Sequence, residues 1–371
     1  MRRRIILRLL SRMGMYNLFR GNYIRVRTFS DRVKYAWLSK DFRLPLPKTF
    51  VFEPTARCNL SCRMCYFKKE SMANSQELSV DKIRVILDNL PSLKKVTLIG
   101  GEIFLRKDIF DLLDMLRVRK VSVHLTTNGT LIDGSNIEHL KKNNNIEAIG
   151  VSLDGTKELH NSIRRSRIAY DRTIEAIQLM SQHFMVYIVC VITRQNLPYL
   201  ASIVSLANEL GFDNVIFEYE RKYVEEDILS SERILGLSRE AFSLNCSEQA
   251  ERGYSFTELE SSLKAAEREG DRAGVAVYYL PRFLREELSA CYHRRLRKEG
   301  RYFCRALFNS RVDWRGDVFH CYAVRESFGN LLNSSFEEIW NNQKYREFRK
   351  HLLENNLLPI CETCLYMERI S

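Results

Sequence analysis

No run of apolar residues in this 371-residue chain approaches the ~20 needed to cross a bilayer as a helix, which excludes an integral helical membrane protein. A secretory signal is missing too: Met1-Arg2-Arg3-Arg4-Ile5-Ile6-Leu7-Arg8 becomes charged again before a long apolar core can form. Internal repeats and low-complexity tracts are absent, which sets aside repeat architectures. Acidic residues are scarce at the start. Residues 1–50 hold thirteen Lys/Arg against only Asp31 and Asp41, so nearly all of the net charge of +12 lies there. The remaining chain is close to neutral, which argues against nucleic-acid binding across the body. What is present is ordinary for a soluble globular protein of about two domains: 45% apolar and 28% charged residues. Ten cysteines without a secretory signal read as metal ligands in a reducing compartment rather than a disulfide framework, and the expected location is cytoplasmic.

The basic start has a pattern of its own. Ile5, Ile6, Leu9, Leu10 and Met13 recur at helical spacing among Arg2, Arg3, Arg4, Arg8 and Arg12. Such a helix can lie peripherally on the anionic inner membrane face through residues 1–20, or pack on the body with a solvated basic face. A transit peptide would share the composition.

Cysteines carry the strongest signal. Cys58, Cys62 and Cys65 form a C-x3-C-x2-C run just after an expected strand, Thr49–Glu53. Thiolates are the usual ligands of iron–sulfur clusters, and a four-iron cluster takes four; a local set of three suggests one iron left open. The alternatives are a zinc site or unrelated core thiols, but zinc knuckles come with a matching second half, and none lies nearby. From residue 49 onward, short β-rich runs (Lys95–Ile99, Val121–Thr126, Ala148–Leu153, Val186–Ile192 and Asn214–Glu218) alternate with helical patterns. That rhythm implies six βα units around a parallel sheet, with ligands at the C-terminal strand ends. The cysteine loop falls on that face. Strand two ends in Gly100-Gly101-Glu102, where glycines let a ligand approach and a carboxylate can accept from an ammonium group. Strand three ends in Thr126-Thr127-Asn128-Gly129, and strand four runs into Ser152-Leu153-Asp154-Gly155; both are also ordinary turn sequences. Near the end, Cys304, Gly316 and Cys321 precede the pair Cys361 and Cys364. Residues 312–321 read as a hairpin turning at Arg315-Gly316-Asp317, and Ser335-x-x-Glu338 as a capping box opening a helix through about His351. Four thiolates can close a cluster completely, although an all-cysteine quartet also suits structural zinc.

These motifs together resemble the radical SAM superfamily, SPASM/twitch-type subgroup. The resemblance spans about residues 49–220 and 300–371 and implies an α/β fold: a partial (β/α)6 radical SAM barrel with a C-terminal SPASM/twitch-like auxiliary-cluster domain. The corresponding domain division is a basic helical segment 1–48, the barrel 49–220, a helical connector 221–290 and the auxiliary domain 291–371. By resemblance, Cys58, Cys62 and Cys65 hold a 4Fe-4S cluster whose open iron chelates S-adenosylmethionine (SAM). Gly100, Gly101 and Glu102 then receive the amino group, Asn128, Ser152 and Asp154 border the cofactor, and Met64 packs near the adenine. Arg164 pairs with the SAM carboxylate, with Arg165 in reserve. Ile103 stands where the family usually has proline. Cys304, Cys321, Cys361 and Cys364 are similar to a SPASM/twitch set for one auxiliary 4Fe-4S cluster; with seven residues after Cys364, the shorter twitch-like form is expected.

The implied chemistry is reductive cleavage of SAM to a 5′-deoxyadenosyl radical that abstracts hydrogen from an unactivated C–H bond. An electron donor such as flavodoxin or ferredoxin is implied. The favoured outcome is oxidation of a small-molecule, sugar or lipid-linked substrate, with the auxiliary cluster accepting the electron. That preference rests on the ~50 residues before the barrel being too few for a leader-binding module. A ribosomal-peptide maturase, crosslinking or epimerising, is the alternative enzyme. A non-catalytic electron-relay protein is the alternative of another class. No general base can be named: Tyr278, Tyr279, His293 and His320 are polar candidates. Cys190 reads as a core thiol, and Cys246 and Cys291 as incidental.

Overall fold

The computed structural model describes residues 41–65, 77–221, 223–242, 253–281, 283, 285–364 and 366–369. The basic helix expected at residues 1–20 and Cys246 lie outside the described residues. In chain order the elements are β1 (Thr49–Thr55), α1 (Val80–Asp88), β2 (Lys95–Gly100), α2 (Ile109–Val118), β3 (Ser122–Thr127), α3 (Gly134–Lys141), β4 (Ile146–Ser152), α4 (Lys157–Arg164), α5 (Ala169–Ser181) and β5 (Val186–Ile192). There follow α6 (Leu200–Glu209), β6 (Asn214–Tyr219), α7 (Glu225–Leu235), α8 (Phe256–Ala273), β7 (Ala276–Leu280), α9 (Arg285–Tyr292) and α10 (Leu296–Glu299). The last segment holds β8 (Tyr302–Cys304), β9 (Ser310–Val312), β10 (Asp317–Phe319), β11 (Gly329–Asn330), α11 (Phe336–Trp340), α12 (Gln343–Glu354) and β12 (Met367–Arg369).

The six βα units are present, and one ten-stranded sheet runs β11-β10-β9-β1-β2-β3-β4-β5-β6-β7. Strands β1 to β7 pair in parallel. The apolar run Val275–Leu280 contributes a seventh parallel strand, β7. Helices α7 and α8, described between β6 and β7, mask the βα rhythm there. At the other edge β9 pairs with β1 in parallel, and β10 and β11 add antiparallel strands. The Arg-Gly-Asp hairpin therefore extends the barrel sheet directly. Strands β8 and β12 form a separate antiparallel pair.

Period-two alternation explains the layers. Val96, Leu98, Val123, Leu125, Ile149 and Val151 are at most 2% exposed and face the helices, each burial stabilising by roughly 1.5–3 kcal/mol. Alternate residues, among them Thr97, Thr126, Ser152, Tyr187, Glu218 and Tyr278, are half-buried on the concave face. Helix α1 presents Ile83, Ile86 and Leu87 to the sheet, with Ser79 as its N-cap.

The single helix expected from Ser335 to about His351 is two. Ser335 and Glu338 form the capping box of α11, but Asn342 caps a second start by accepting from Tyr345 N–H at 2.8 Å. Asn341 is held at the break by hydrogen bonds with the backbone of Leu44 at 3.1 and 2.9 Å.

Candidate active site

The cysteine loop is fastened to the sheet before it turns. Arg106, 3% exposed, donates to Pro54 O at 2.8 Å and Leu78 O at 2.9 Å. Arg57 makes a bidentate pair with Glu77 at 2.7 and 2.6 Å, and Thr55 Oγ1 donates to the same carboxylate. Gly101 N–H donates to Thr55 O at 3.0 Å, and Glu102 N–H to Arg57 O at 2.8 Å. A Cβ on Gly100 would lie 2.3 Å from Thr55 O, and one on Gly101 1.9 Å from Arg57 O. The group whose approach demands these glycines is thus the chain's own backbone leading into the loop, not a ligand as the sequence suggested. That contact sets Glu102 beside the cysteines.

Cys58, Cys62 and Cys65 are half-buried. Cys65 N–H donates to Cys62 O at 3.3 Å, and Arg63 N–H to Ile163 O at 3.0 Å, which ties the loop to the end of α4. Cys65 also packs on Ala56 and on Trp314 of the C-terminal hairpin. Burial pushes the Cys58 thiol up to about 12, and the charges of Glu102, Cys62 and Cys65 add to the rise. Three thiols sharing one field suit metal in place of their protons, since iron takes thiolates. Met64 sits half-buried between Arg63 and Cys65.

Glu102 is 1% exposed. Its carboxylate accepts from Thr127 Oγ1 at 2.7 Å, Asn128 N–H at 2.8 Å and Phe104 N–H at 3.2 Å. Burial raises its pKa, while those donors and Arg164 oppose the rise. Three bonds leave one of about four carboxylate lone-pair sites for a further donor. Asn128 reaches Asn59 Oδ1 at 3.0 Å and Cys58 Sγ at 4.0 Å. Beyond β4, Asp154 is fully buried and accepts from Arg164 Nε at 2.6 Å. Arg164 Nη1 stands 3.6 Å from Cys62 Sγ. Burial works against the Arg164 charge, but Asp154 and Cys62 hold its pKa above the usual value. Arg165 terminates α4 at φ +54° and is exposed. Ser152 is half-buried on the concave face. The structure therefore brings Glu102, Asn128 and Arg164 to the three cysteines, with Asp154 acting through Arg164.

A second thiol group is assembled from distant segments. Cys304 ends β8, Cys321 follows β10, and Cys361 and Cys364 flank a turn in which Cys364 N–H donates to Cys361 O at 2.9 Å. Burial raises all four thiols, and their charges act on one another. Such a quartet suits a metal group that removes the protons burial would otherwise hold. His320 lies inside this shell, its Nε2 3.4 Å from Cys304 Sγ, and burial holds its pKa down to about 3. Of the other polar candidates, Tyr279 donates to Leu263 O at 2.9 Å on the helix side, and His293 meets Phe256 at a tilt and Tyr292 edge-on. Tyr278 alone faces the concave side. Cys190 is a buried core thiol, and Cys291 is buried against Glu362 O at 3.6 Å.

Sequence reasoning missed the polar seam between the two thiol groups. Glu53, fully buried at the end of β1, meets Arg325 Nη2 at 2.9 Å and Arg311 Nη1 at 3.5 Å. Arg311 stacks on Tyr322, which Arg221 also covers. The legible signal was a lone glutamate in an otherwise apolar strand and a tyrosine directly after Cys321. Burial raises Tyr187 to about 12, with Glu218 adding to the rise.

Comparison with known proteins agrees with this architecture. The radical SAM superfamily profile matches residues 52–207, and the SPASM profile, an iron–sulfur cluster-binding domain, matches residues 304–365. The AdoMet-dependent heme synthase of Methanosarcina barkeri (strain Fusaro / DSM 804) is 27% identical over 86% of this chain and 89% of its own length. The antilisterial bacteriocin subtilosin biosynthesis protein AlbA of Bacillus subtilis (strain 168) is 33% identical, over 39% of this chain and 32% of its own. The crystal structure of Streptococcus suis SuiB bound to S-adenosylmethionine has the same fold: TM-score 0.60 at 19% identity, covering 91% of this chain and 77% of that one.

Proposed function

The chain belongs to the radical SAM superfamily and carries a SPASM iron–sulfur domain, and we propose that this radical SAM enzyme oxidises an anionic, non-peptidic small molecule held on the concave face of its sheet. When bound, SAM and its cluster supply the 5′-deoxyadenosyl radical that takes a hydrogen atom from the substrate, and the auxiliary cluster supplies a sink for the electron left behind. Cys58, Cys62 and Cys65 would hold the first cluster, and Cys304, Cys321, Cys361 and Cys364 the second. Glu102 would accept from the SAM ammonium group, oriented by Thr127 and the backbone of Asn128. Arg164, fixed by Asp154, would meet the SAM carboxylate, and Ser152 lies on the same side. Met64 would pack on the adenine, and Trp314 covers Cys65 from the other side.

The observation that carries the SAM reading is convergence: the buried Arg164 guanidinium at the end of α4 stands beside Cys62, and the buried Glu102 carboxylate just past β2 is joined to Cys58 through Asn128. The substrate reading draws on the heme synthase, which aligns along most of both chains. A carboxylated tetrapyrrole is therefore the first compound to offer. The peptide reading draws on AlbA and on SuiB, which has also been solved bound to its precursor peptide SuiA.

The test is anaerobic, with reconstituted protein, dithionite and SAM. Formation of 5′-deoxyadenosine is expected, and it should disappear in Cys58→Ala. Carboxylated tetrapyrroles are expected to accelerate it and to pass deuterium into 5′-deoxyadenosine. Stimulation by candidate precursor peptides and not by tetrapyrroles would reverse the substrate assignment.

A further inference from the structure

Two guanidiniums share one aromatic ring beside the auxiliary thiols. Arg311 of β9 lies 3.5 Å from the ring centroid of Tyr322, and Arg221, just past β6, lies 4.5 Å from it. Tyr322 directly follows the ligand Cys321. Arg311 also donates to Tyr366 Oη at 3.1 Å, and Tyr366 N–H donates to Cys364 Sγ at 3.3 Å. The pair is thus joined to ligands from both halves of the quartet. Arginine stays charged at any working pH. Both cations are therefore fixed beside the quartet, against the ring that follows Cys321 and, for Arg311, one hydrogen bond from the residue whose N–H meets Cys364. Positive charge held this close favours an added electron on a cluster that these sulfurs would hold.

The seam also carries carboxylates: Arg221 stands 3.9 Å from Glu218, Arg311 3.5 Å from Glu53, and Arg325 2.9 Å from Glu53 and 3.8 Å from Asp313.

We propose that the Arg221–Tyr322–Arg311 stack raises the reduction potential of the auxiliary cluster, making it the acceptor for the electron that leaves the substrate. Arg221 and Arg311 are then positioning residues of the redox centre. The inference rests on the reading that the C-terminal quartet holds a cluster.

The experiment is an EPR-monitored redox titration of the full reconstituted chain, with SAM added to shift the signal of its own cluster and so separate the two. In Arg221→Gln the reduced-to-oxidised ratio of the auxiliary cluster, read at the wild-type midpoint, is expected to fall about tenfold, or about 59 mV for one electron. Arg221→Lys, which keeps the charge, is expected to stay within about twofold, and the SAM-cluster signal to be unmoved. Arg311→Gln should shift the same way; because it also strips Glu53 of a partner, Arg221→Gln is the deciding variant. An unchanged midpoint in Arg221→Gln with iron retained overturns the inference, as does an equal shift in Arg221→Lys. Wild-type protein that forms 5′-deoxyadenosine but shows no auxiliary signal and only about four irons per chain removes the reading beneath it as well.

Discussion

Asp154→Ala isolates the most consequential buried contact of the SAM side. The Asp154 carboxylate is fully buried, 2.6 Å from Arg164 Nε, and the Arg164 side chain is itself 10% exposed. Deleting the acid leaves a guanidinium in the interior without its counter-charge, a change that costs about 3–5 kcal/mol. The same cost is expected of Arg164→Ala, which strands the carboxylate. Replacing both by apolar residues of similar volume, Asp154→Leu with Arg164→Met, removes the uncompensated charge and should recover most of the stability. SAM affinity behaves differently. It should fall at least tenfold in each single variant, about 1.4 kcal/mol, and stay low in the double variant, because the guanidinium near Cys62 is gone. Anaerobic thermal unfolding followed by circular dichroism reads the first quantity, and calorimetric SAM titration the second. If Asp154→Ala unfolds with wild type, the pair contributes no net stability; if the double variant regains SAM affinity, Arg164 has no part in binding the cofactor.

Glu102→Gln keeps the shape but turns an amide donor toward groups that already donate, so SAM affinity should drop by about 2–3 kcal/mol while iron content holds; calorimetry and iron analysis separate the two. Gly101→Ala places a Cβ 1.9 Å from Arg57 O, so the β1–β2 junction must part, and iron uptake at the first site should collapse in parallel with melting temperature. Acid sensitivity should trace in part to His160, whose Nδ1 accepts the Asp154 N–H at 3.1 Å and whose pKa burial holds down to about 4. The unfolded chain, with a histidine pKa near ~6.5, binds that proton more readily. Stability is therefore complete above ~6.5 and is lost as pH falls toward about 4, by about 3 kcal/mol in all. Melting curves of wild type and His160→Gln between those limits should converge at the acid end. Cys304→Ala should remove about four irons per chain yet leave 5′-deoxyadenosine formation measurable; its complete loss would make the auxiliary site indispensable to SAM cleavage.

Local pattern decided much of this protein. Period-two apolar runs separated by amphipathic stretches place six strands within two residues of where they are found, because alternation is a property of neighbours in sequence. The cysteine spacings, the Gly-Gly-Glu turn and the hairpin around Gly316 are local in the same sense. Four features were not fully legible because they depend on what packs from far away. The run ending at Leu280 becomes a strand only because β6 offers an open edge. Gly100 and Gly101 are required by the backbone of residues 55–57, and one expected helix breaks at Asn341 because Leu44 binds that side chain. The Glu53, Arg221, Arg311 and Arg325 seam joins residues from opposite ends of the sheet; Glu53 stands out in its own strand, but no one-dimensional window pairs it with those arginines. Burying such charges is tolerable only when partners arrive from other segments, and that is a decision the tertiary fold alone can make.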